Sequence, residues 1–210
     1  MSFYTSLSGL KNAQTNLNVI SHNIANSETT GFKKSTVSFS DIVVGSAYTN
    51  PKMIQGIGAT VEAINQNFAI GPIEQTGSAL DVAISGDGFF TTKSSTTGDT
   101  LYTRNGAFTT DDLGYIHDGS QNRLQIFTAA SPTTPVDAQI PTVAGADFAG
   151  VTIGEDGKVT ASYSDGSNQV IGTVALASFI APGGLRAGGS SNWQTTGLSG
   201  TATYGAPGEG

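Results

Sequence analysis

The first apolar pattern in the chain is helical. Phe3, Leu10, Ala13, Leu17, Ile20 and Ile24, with Ser6 between the first two, recur at intervals of three, four or seven. Lys11, Asn12, Gln14, Thr15, Asn18 and Ser21 occupy the other faces. A stripe at heptad spacing predicts an amphipathic helix with a narrow apolar seam. No proline interrupts it, and Gly9 is the only weak helix former in its first half. Asn26 and Gly31 tolerate a left-handed cap, so the helix is expected to end between Ala25 and Gly31. Residues 1–30 are therefore expected to form an N-terminal helical assembly segment. A seam this narrow suits a partner helix, and no later segment matches it. The expected partner is another copy, a segment missing from this chain, or nothing until assembly. The plain alternative is a helix that caps the β-rich body behind it.

Residues 31–77 are expected to be an extended connector. Phe39, Ile42, Val43 and Val44 fit a short helix or an extended strip equally, and Asn50-Pro51 breaks that segment. Partial alternation follows through Val61, Ala63, Phe68 and Ile70, as in a half-buried strand, before Gly71-Pro72 turns the chain. From Ser78 the period becomes two. Leu80, Val82 and Ile84 predict a strand, and Phe89 to Thr92 predict its return after Asp87-Gly88. Leu101 to Arg104, Asn105-Gly106 and Ala107 to Thr109 read as strand, turn, strand. Tyr115 to His117 and Gln121 to Phe127 complete this block.

Residues 129–150 hold three prolines and little alternation, so a loop is expected there. Strands are expected again at Val151 to Ile153 and Lys158 to Tyr163. Val170 to Phe179 is the most apolar run and reads as a strand buried on both faces. The tail from Arg186 is rich in Gly, Ser and Thr, with Trp193 as its only large anchor. The fold class is thus mainly β: an N-terminal α-helix, a connector, and a compact antiparallel β domain over residues 78–205. Residues 206–210 read as the start of a linker to a missing C-terminal segment.

Composition narrows the chemistry. Only 12% of the 210 residues are charged and 28 are glycine, which suits short strands, tight turns and small-residue contacts. The net charge is −7, and nine Lys and Arg are too dispersed for a phosphate-tracking face, so no nucleic-acid partner is expected. No apolar run reaches the ~18 residues of a membrane span, so no membrane insertion is expected. The opening segment lacks the basic start and the ~7–15-residue apolar run of a signal peptide. Cysteine is absent, which removes disulfides, thiolate metal sites and thiol nucleophiles. His22 and His117 have no triad or HExxH context, and there is no G-x-S-x-G elbow. Gly56-Ile57-Gly58 lacks the third glycine of a dinucleotide fingerprint. The Asp-Gly pairs lack a calcium-loop register and read as turns. Asp111 and Asp112 are adjacent and give no glycosidase-type pair. No enzyme, cofactor or metal site is expected.

The opening SGLKNAQTNLNVISHNIANSETTGFKKS resembles the N-terminal signature of the bacterial flagellar axial proteins, a leucine-bearing helix running into N-x-x-N-I-A-N and a T-x-G-F-K turn. Those positions are Leu17, Ile20, Asn23, Ile24, Ala25, Asn26, Thr30, Gly31, Phe32 and Lys33. SALDVAISGDGFF, YTRNGAF, IGTVALASFIAPGGL, SNWQTTGLSG and GAPGEG are similar to the hook and rod subgroup. Thr36 to Asp41, TASYSDG and NW-x-x-T place the resemblance nearest the hook, with the distal rod next.

The resemblance implies a structural subunit that polymerises into the hook, a helical homopolymer made outside the cell after type III export. It implies rod, hook-cap and hook–filament junction proteins and the export apparatus as partners. It implies intersubunit roles for Leu10, Ala13, Leu17, Ile20, Asn23, Ile24, Asn26, Gly31 and Phe32. Two departures stand out. Only residues 129–150 occupy the place of the hook's outer domain, and the family's second long helix would begin beyond Gly210, which reads as a truncated product or an unusual variant. A reading from a different class is a secreted carbohydrate-binding β domain with Trp193 and Tyr163 as binding aromatics.

Overall fold

The computed structural model describes residues 2–44 and 55–208, which form two compact units, Met1–Ala69 and Ile70–Gly210. The expected break at Asn50-Pro51 and the last two residues of the terminal linker lie outside the described residues.

The first unit is a helix on a hairpin. Helix α1 (Ser2–Ala25) is followed by strands β1 (Ser35–Val44) and β2 (Gln55–Gln66), paired antiparallel from Ser35↔Gln66 to Val44↔Gln55. The ambiguous strip at Phe39 to Val44 is thus a strand. Register shifts between Ser38 and Phe39 and between Ile42 and Val43 interrupt its alternation, which is why neither period was decisive. A hairpin alone is marginal in water; here α1 covers it. Thr5 Oγ1 donates to the Ile57 carbonyl at 3.2 Å, and the Asn23 side chain pairs with the Ser35 backbone. At Gly58 (φ +140°) the backbone takes a conformation that favours glycine, and an added Cβ would stand 2.6 Å from Ser8 Oγ, which would have to rotate away.

The helix thus packs on the hairpin of its own unit, while the stripe, expected to meet another copy, a missing segment or nothing until assembly, stays exposed. The half-buried residues of α1 are Leu7, Ser8, Asn12, Thr15, Val19 and Asn23. Leu7 and Val19 are the only apolar residues among them, too few at that spacing to stand out against the heptad stripe. Among the described residues α1 is the only α-helix.

The second unit is antiparallel β. In chain order its strands are β3 (Phe89–Ser94), β4 (Thr100–Thr103), β5 (Phe108–Thr110), β6 (Ile116–Asp118), β7 (Asn122–Thr128) and β8 (Ser131–Asp137). They continue as β9 (Phe148–Ile153), β10 (Lys158–Tyr163), β11 (Asn168–Val174), β12 (Leu176–Ser178), β13 (Arg186–Gly189), β14 (Asn192–Gln194) and β15 (Thr203–Gly205). The main path runs β13-β14-β4-β3-β7-β11-β10-β9, with β12 bridging β3 and β15, and with β8 and the β5–β6 pair joined to β7. Strand β7 is the hub. Its Leu124 and Ile126 are fully buried with Ile116, Val159 and Ala161, and Phe90, Phe108, Tyr163 and Val174 join the same core. A second cluster stacks Phe89 on Phe179 and Trp193, with ring centroids 5.6 and 5.8 Å apart.

Four sequence expectations change here. Leu80, Val82 and Ile84 do pack on the core, but their backbone makes a single bridge, Asp81↔Ala107, rather than a strand. The Asn105-Gly106 step joins β4 and β5, which pair with different neighbours instead of each other. Gly106 is where the chain passes Val82: its carbonyl accepts the Val82 N–H at 3.0 Å, and a Cβ would lie 1.6 Å from the Val82 oxygen. The Pro-rich stretch is not all loop. It supplies β8, whose prolines sit on a strand with one partner, where a missing N–H costs little, and it buries Ala138 and Ile140. Finally, β11 is buried only at its end. Val170 is 59% exposed because the first half of β11 pairs with β10 alone.

Candidate assembly surface

The stripe and the docked face of α1 point in different directions. At 100° per residue, Leu10, Ala13, Leu17, Ile20 and Ile24 lie roughly 140° around the axis from Thr5, Ser8, Thr15, Val19 and Asn23. The consequence is exposure: Phe3 73%, Leu10 67%, Leu17 62%, Ile24 68% and Ile20 44%, with Ala13 also exposed. A row of large aliphatic side chains left in water along one helix face is what marks an interaction surface, unlike single scattered ones.

The other residues expected at the assembly surface are held inside their own unit. Asn23 Nδ2 donates to the Ser35 carbonyl at 2.8 Å, and the Ser35 N–H donates to Asn23 Oδ1 at 2.9 Å. One amide thereby imitates a strand neighbour and pins the start of β1 to the end of α1. Asn26 Nδ2 and its backbone N–H both donate to the His22 carbonyl, closing the last turn. Gly31 has φ +73°, the left-handed conformation glycine adopts without penalty. Phe32 stacks on His22, with centroids 5.6 Å apart, and donates its N–H to the Thr29 carbonyl. The stripe is thus open while Asn23, Asn26, Gly31 and Phe32 build the exit turn.

Sequence reasoning missed Lys33 as a structural element. It is 8% exposed, and its Nζ donates to the Ala69 carbonyl at 2.9 Å, tying the entry to β1 to the segment that follows β2. Ser8 and Gly58 were missed too; the one signal available was a glycine inside a strand pattern.

The second unit offers hydrogen-bonded turns where metal or catalytic chemistry was considered. Asp111, Asp156 and Asp165 each accept a backbone N–H two residues on. Buried Asp118 accepts from the Ser120 and Asn122 N–H groups and from Asn122 Nδ2. The Asp165 carboxyl is held below the usual carboxylate range by the Ser167 hydroxyl and backbone N–H. Burial pushes the Tyr102 phenol well above its ordinary range, and the Tyr204 hydroxyl 3.0 Å away adds to this. No cluster of three or more His, Cys, Asp or Glu is found among the described residues. Nor is any helix among them long and apolar enough to cross a membrane. Trp193 and Tyr163 are 2% and 4% exposed, so their faces are sealed in the cores and give no shelf for a sugar ring.

Two family models match the chain: "Flagella basal body rod protein" at residues 3–33 and "Flagellar hook protein FlgE/F/G D1 domain" at residues 83–161. The chain is similar to the flagellar basal-body rod protein FlgG of Bacillus subtilis, 37% identical over all of this chain and 79% of that protein. FlgG of Caulobacter vibrioides is 34% identical over 98% of the chain and 78% of that protein. The flagellar hook protein FlgE of Salmonella typhimurium is 47% identical over 53% of the chain, but the match spans only 26% of that longer protein. Among solved structures, the hook protein FlgE2 of Helicobacter pylori matches at 15% identity over 80% of the chain and 38% of that protein, with a TM-score of 0.24. With relatives above 30% identity over nearly all of this chain and more than three quarters of their own length, and family matches in both units, the chain belongs to the flagellar hook and rod family of axial structural proteins.

Proposed function

We propose that this axial subunit builds the flagellar hook, polymerising outside the cell after export, with the stripe of α1 buried against neighbouring subunits in the tube. The observation that carries the assembly role is the separation of faces on α1. Docking on the hairpin uses a different, mostly polar face, and Leu10, Leu17, Ile20 and Ile24 stay 44–68% exposed. At about 25 cal/mol per Å² of apolar area, sealing four such side chains contributes on the order of 5 kcal/mol per subunit. The 47% identity of the hook match supports the hook within the family.

The test is the pair Leu17→Asp and Ile20→Asp. Both positions are exposed, so the β circular dichroism and the thermal unfolding of the second unit should not change. Incorporation into sheared flagellar tubes should be lost. Retained incorporation, or loss of β signal in the monomer, would falsify this division of labour.

A rod subunit is the second reading, favoured by the alignment with FlgG over the whole chain and most of the rod protein's length. Immunogold labelling of isolated hook–basal bodies separates the two, since label inside the rod rather than on the curved segment excludes the hook.

A further inference from the structure

The segment from Leu80 to Ile84, which has the period of a strand without being one, lines a groove in the second unit. It is tethered at its start. The Ile153 N–H donates to the Ala79 carbonyl at 3.3 Å, the Val82 N–H donates to the Gly106 carbonyl at 3.0 Å, and Asp81 Oδ2 accepts the Thr76 hydroxyl at 2.6 Å. Past Val82 the tether stops. Among the described residues, the backbone groups of Ala83, Ile84 and Ser85 make no hydrogen bond. Another part of the lining is equally fixed: Pro207 packs on Gly157 so closely that a Cβ there would stand 2.4 Å from the proline Cγ.

The groove encloses about 740 Å³, a volume typical of binding clefts. Its apolar lining includes Val82, Ile84, Ile153 and Leu176, all half-buried against the main core. Its charge has one sign. Asp81, Asp87 and Glu155 line it, and no Lys, Arg or His does. None of the three acids forms an ion pair among the described residues. Arg104 attracts Asp87 from outside the lining, with its guanidinium donating to the Gly86 carbonyl and lying over the Phe89 ring. A cleft with acids of one sign above apolar walls concentrates their field on whatever enters.

We propose that this groove binds an extended segment of another protein in which Lys or Arg alternates with aliphatic residues. The apolar lining takes the aliphatic side chains, and the free main-chain groups at Ala83 to Ser85 suit an extended backbone. Charge complementarity selects the occupant. A second copy brings a net charge of −7 to the same acids, and a neutral apolar segment would desolvate three carboxylates without pairing them. The inference goes beyond the proposed function and depends neither on the helix stripe nor on where in the flagellum the subunit sits.

The test titrates the full-length protein with acetyl-VKVKV-amide at low salt and follows methyl groups by NMR. Those of Val82, Ile84, Ile153 and Leu176 should shift saturably, while those of Leu113 and Val170, outside the groove, stay in place. Acetyl-VEVEV-amide should give no saturable shift. Acetyl-SKSKS-amide, which keeps the charge and loses the apolar side chains, should bind about tenfold more weakly or worse. Removing two exposed acids of the groove together, Asp87→Asn with Glu155→Gln, should raise the dissociation constant about threefold to tenfold. Removing two exposed acids elsewhere in the unit, Asp99→Asn with Asp112→Asn, should leave it unchanged. Equal binding of the serine peptide, or equal effects of the two acid pairs, would reduce the contact to diffuse attraction and overturn the proposal. So would an absence of shifts. Shifts of the same methyls on raising the protein concentration without peptide would assign the groove to a second copy and overturn it as well. All of these results leave the role of α1 untouched, since the groove lies wholly within the second unit.

Discussion

Replacing Asn23 tests the physical link between the helix and the hairpin it covers. Its amide makes two hydrogen bonds to Ser35, at 2.8 and 2.9 Å, at the point where the chain leaves the helix turn and enters β1. Asn23→Ala removes both and leaves the Ser35 N–H and carbonyl to find water. A net hydrogen bond contributes roughly 0.5–1.5 kcal/mol, so the pair is worth about 1–3 kcal/mol. Nothing else among the described contacts reproduces this clasp, and the hairpin is marginal without the helix. Local opening of the first unit should therefore rise by about fivefold to a hundredfold. Native-state hydrogen exchange at the Ser35 amide reads this directly, with the buried amides of β7 as the unaffected reference. Asn23→Asp sharpens the argument. The carboxylate keeps the acceptor for the Ser35 N–H but places a second oxygen against the Ser35 carbonyl. That repulsion raises the folded-state pKa of the new acid, so stability should recover as pH falls and the protonated oxygen becomes a donor. Unchanged Ser35 protection in Asn23→Ala, or an Asn23→Asp protein that weakens as pH falls through the carboxyl range, would refute the reasoning.

Three further outcomes follow from the same structure. Gly106→Ala should destabilise the second unit by about 3 kcal/mol or more, because the new methyl would overlap the Val82 carbonyl oxygen; a urea midpoint equal to that of the parent would contradict it. Leu124→Ala, at the fully buried centre of β7, should cost about 2–5 kcal/mol with an unchanged urea m-value. Carbon NMR titration should find the Asp165 carboxyl below the ordinary aspartate midpoint, and Ser167→Ala should return it upward. Since that folded-state pKa is depressed, its small stabilisation is present above the unfolded value and disappears as pH falls through the folded one.

Much of the candidate assembly surface was legible in the residues because it depends on local periodicity. A heptad stripe on a proline-free segment specifies a helix and which side chains share a face, and those side chains are the exposed ones. The Asp-centred turns were legible for the same reason, since Asp111, Asp156 and Asp165 bond to backbone only two residues away. What local pattern does not carry is the choice of partner. The helix sits on the hairpin through Ser8, Thr5 and Asn23, whose polarity carries no hydrophobic signal, and through Gly58, which Ser8 meets from fifty residues away. The apolar run at Leu80 to Ile84 is not a strand: its backbone pairing is limited to the Asp81↔Ala107 bridge, with the Val82 N–H on the Gly106 carbonyl. Likewise the prolines of residues 129–150 suggested a loop, while β7 had an edge that accepts them. The chain's periodicities determined which side chains would seek burial; only the assembled sheets decided which found it within the molecule and which, like Leu17 and Ile180, were left facing water.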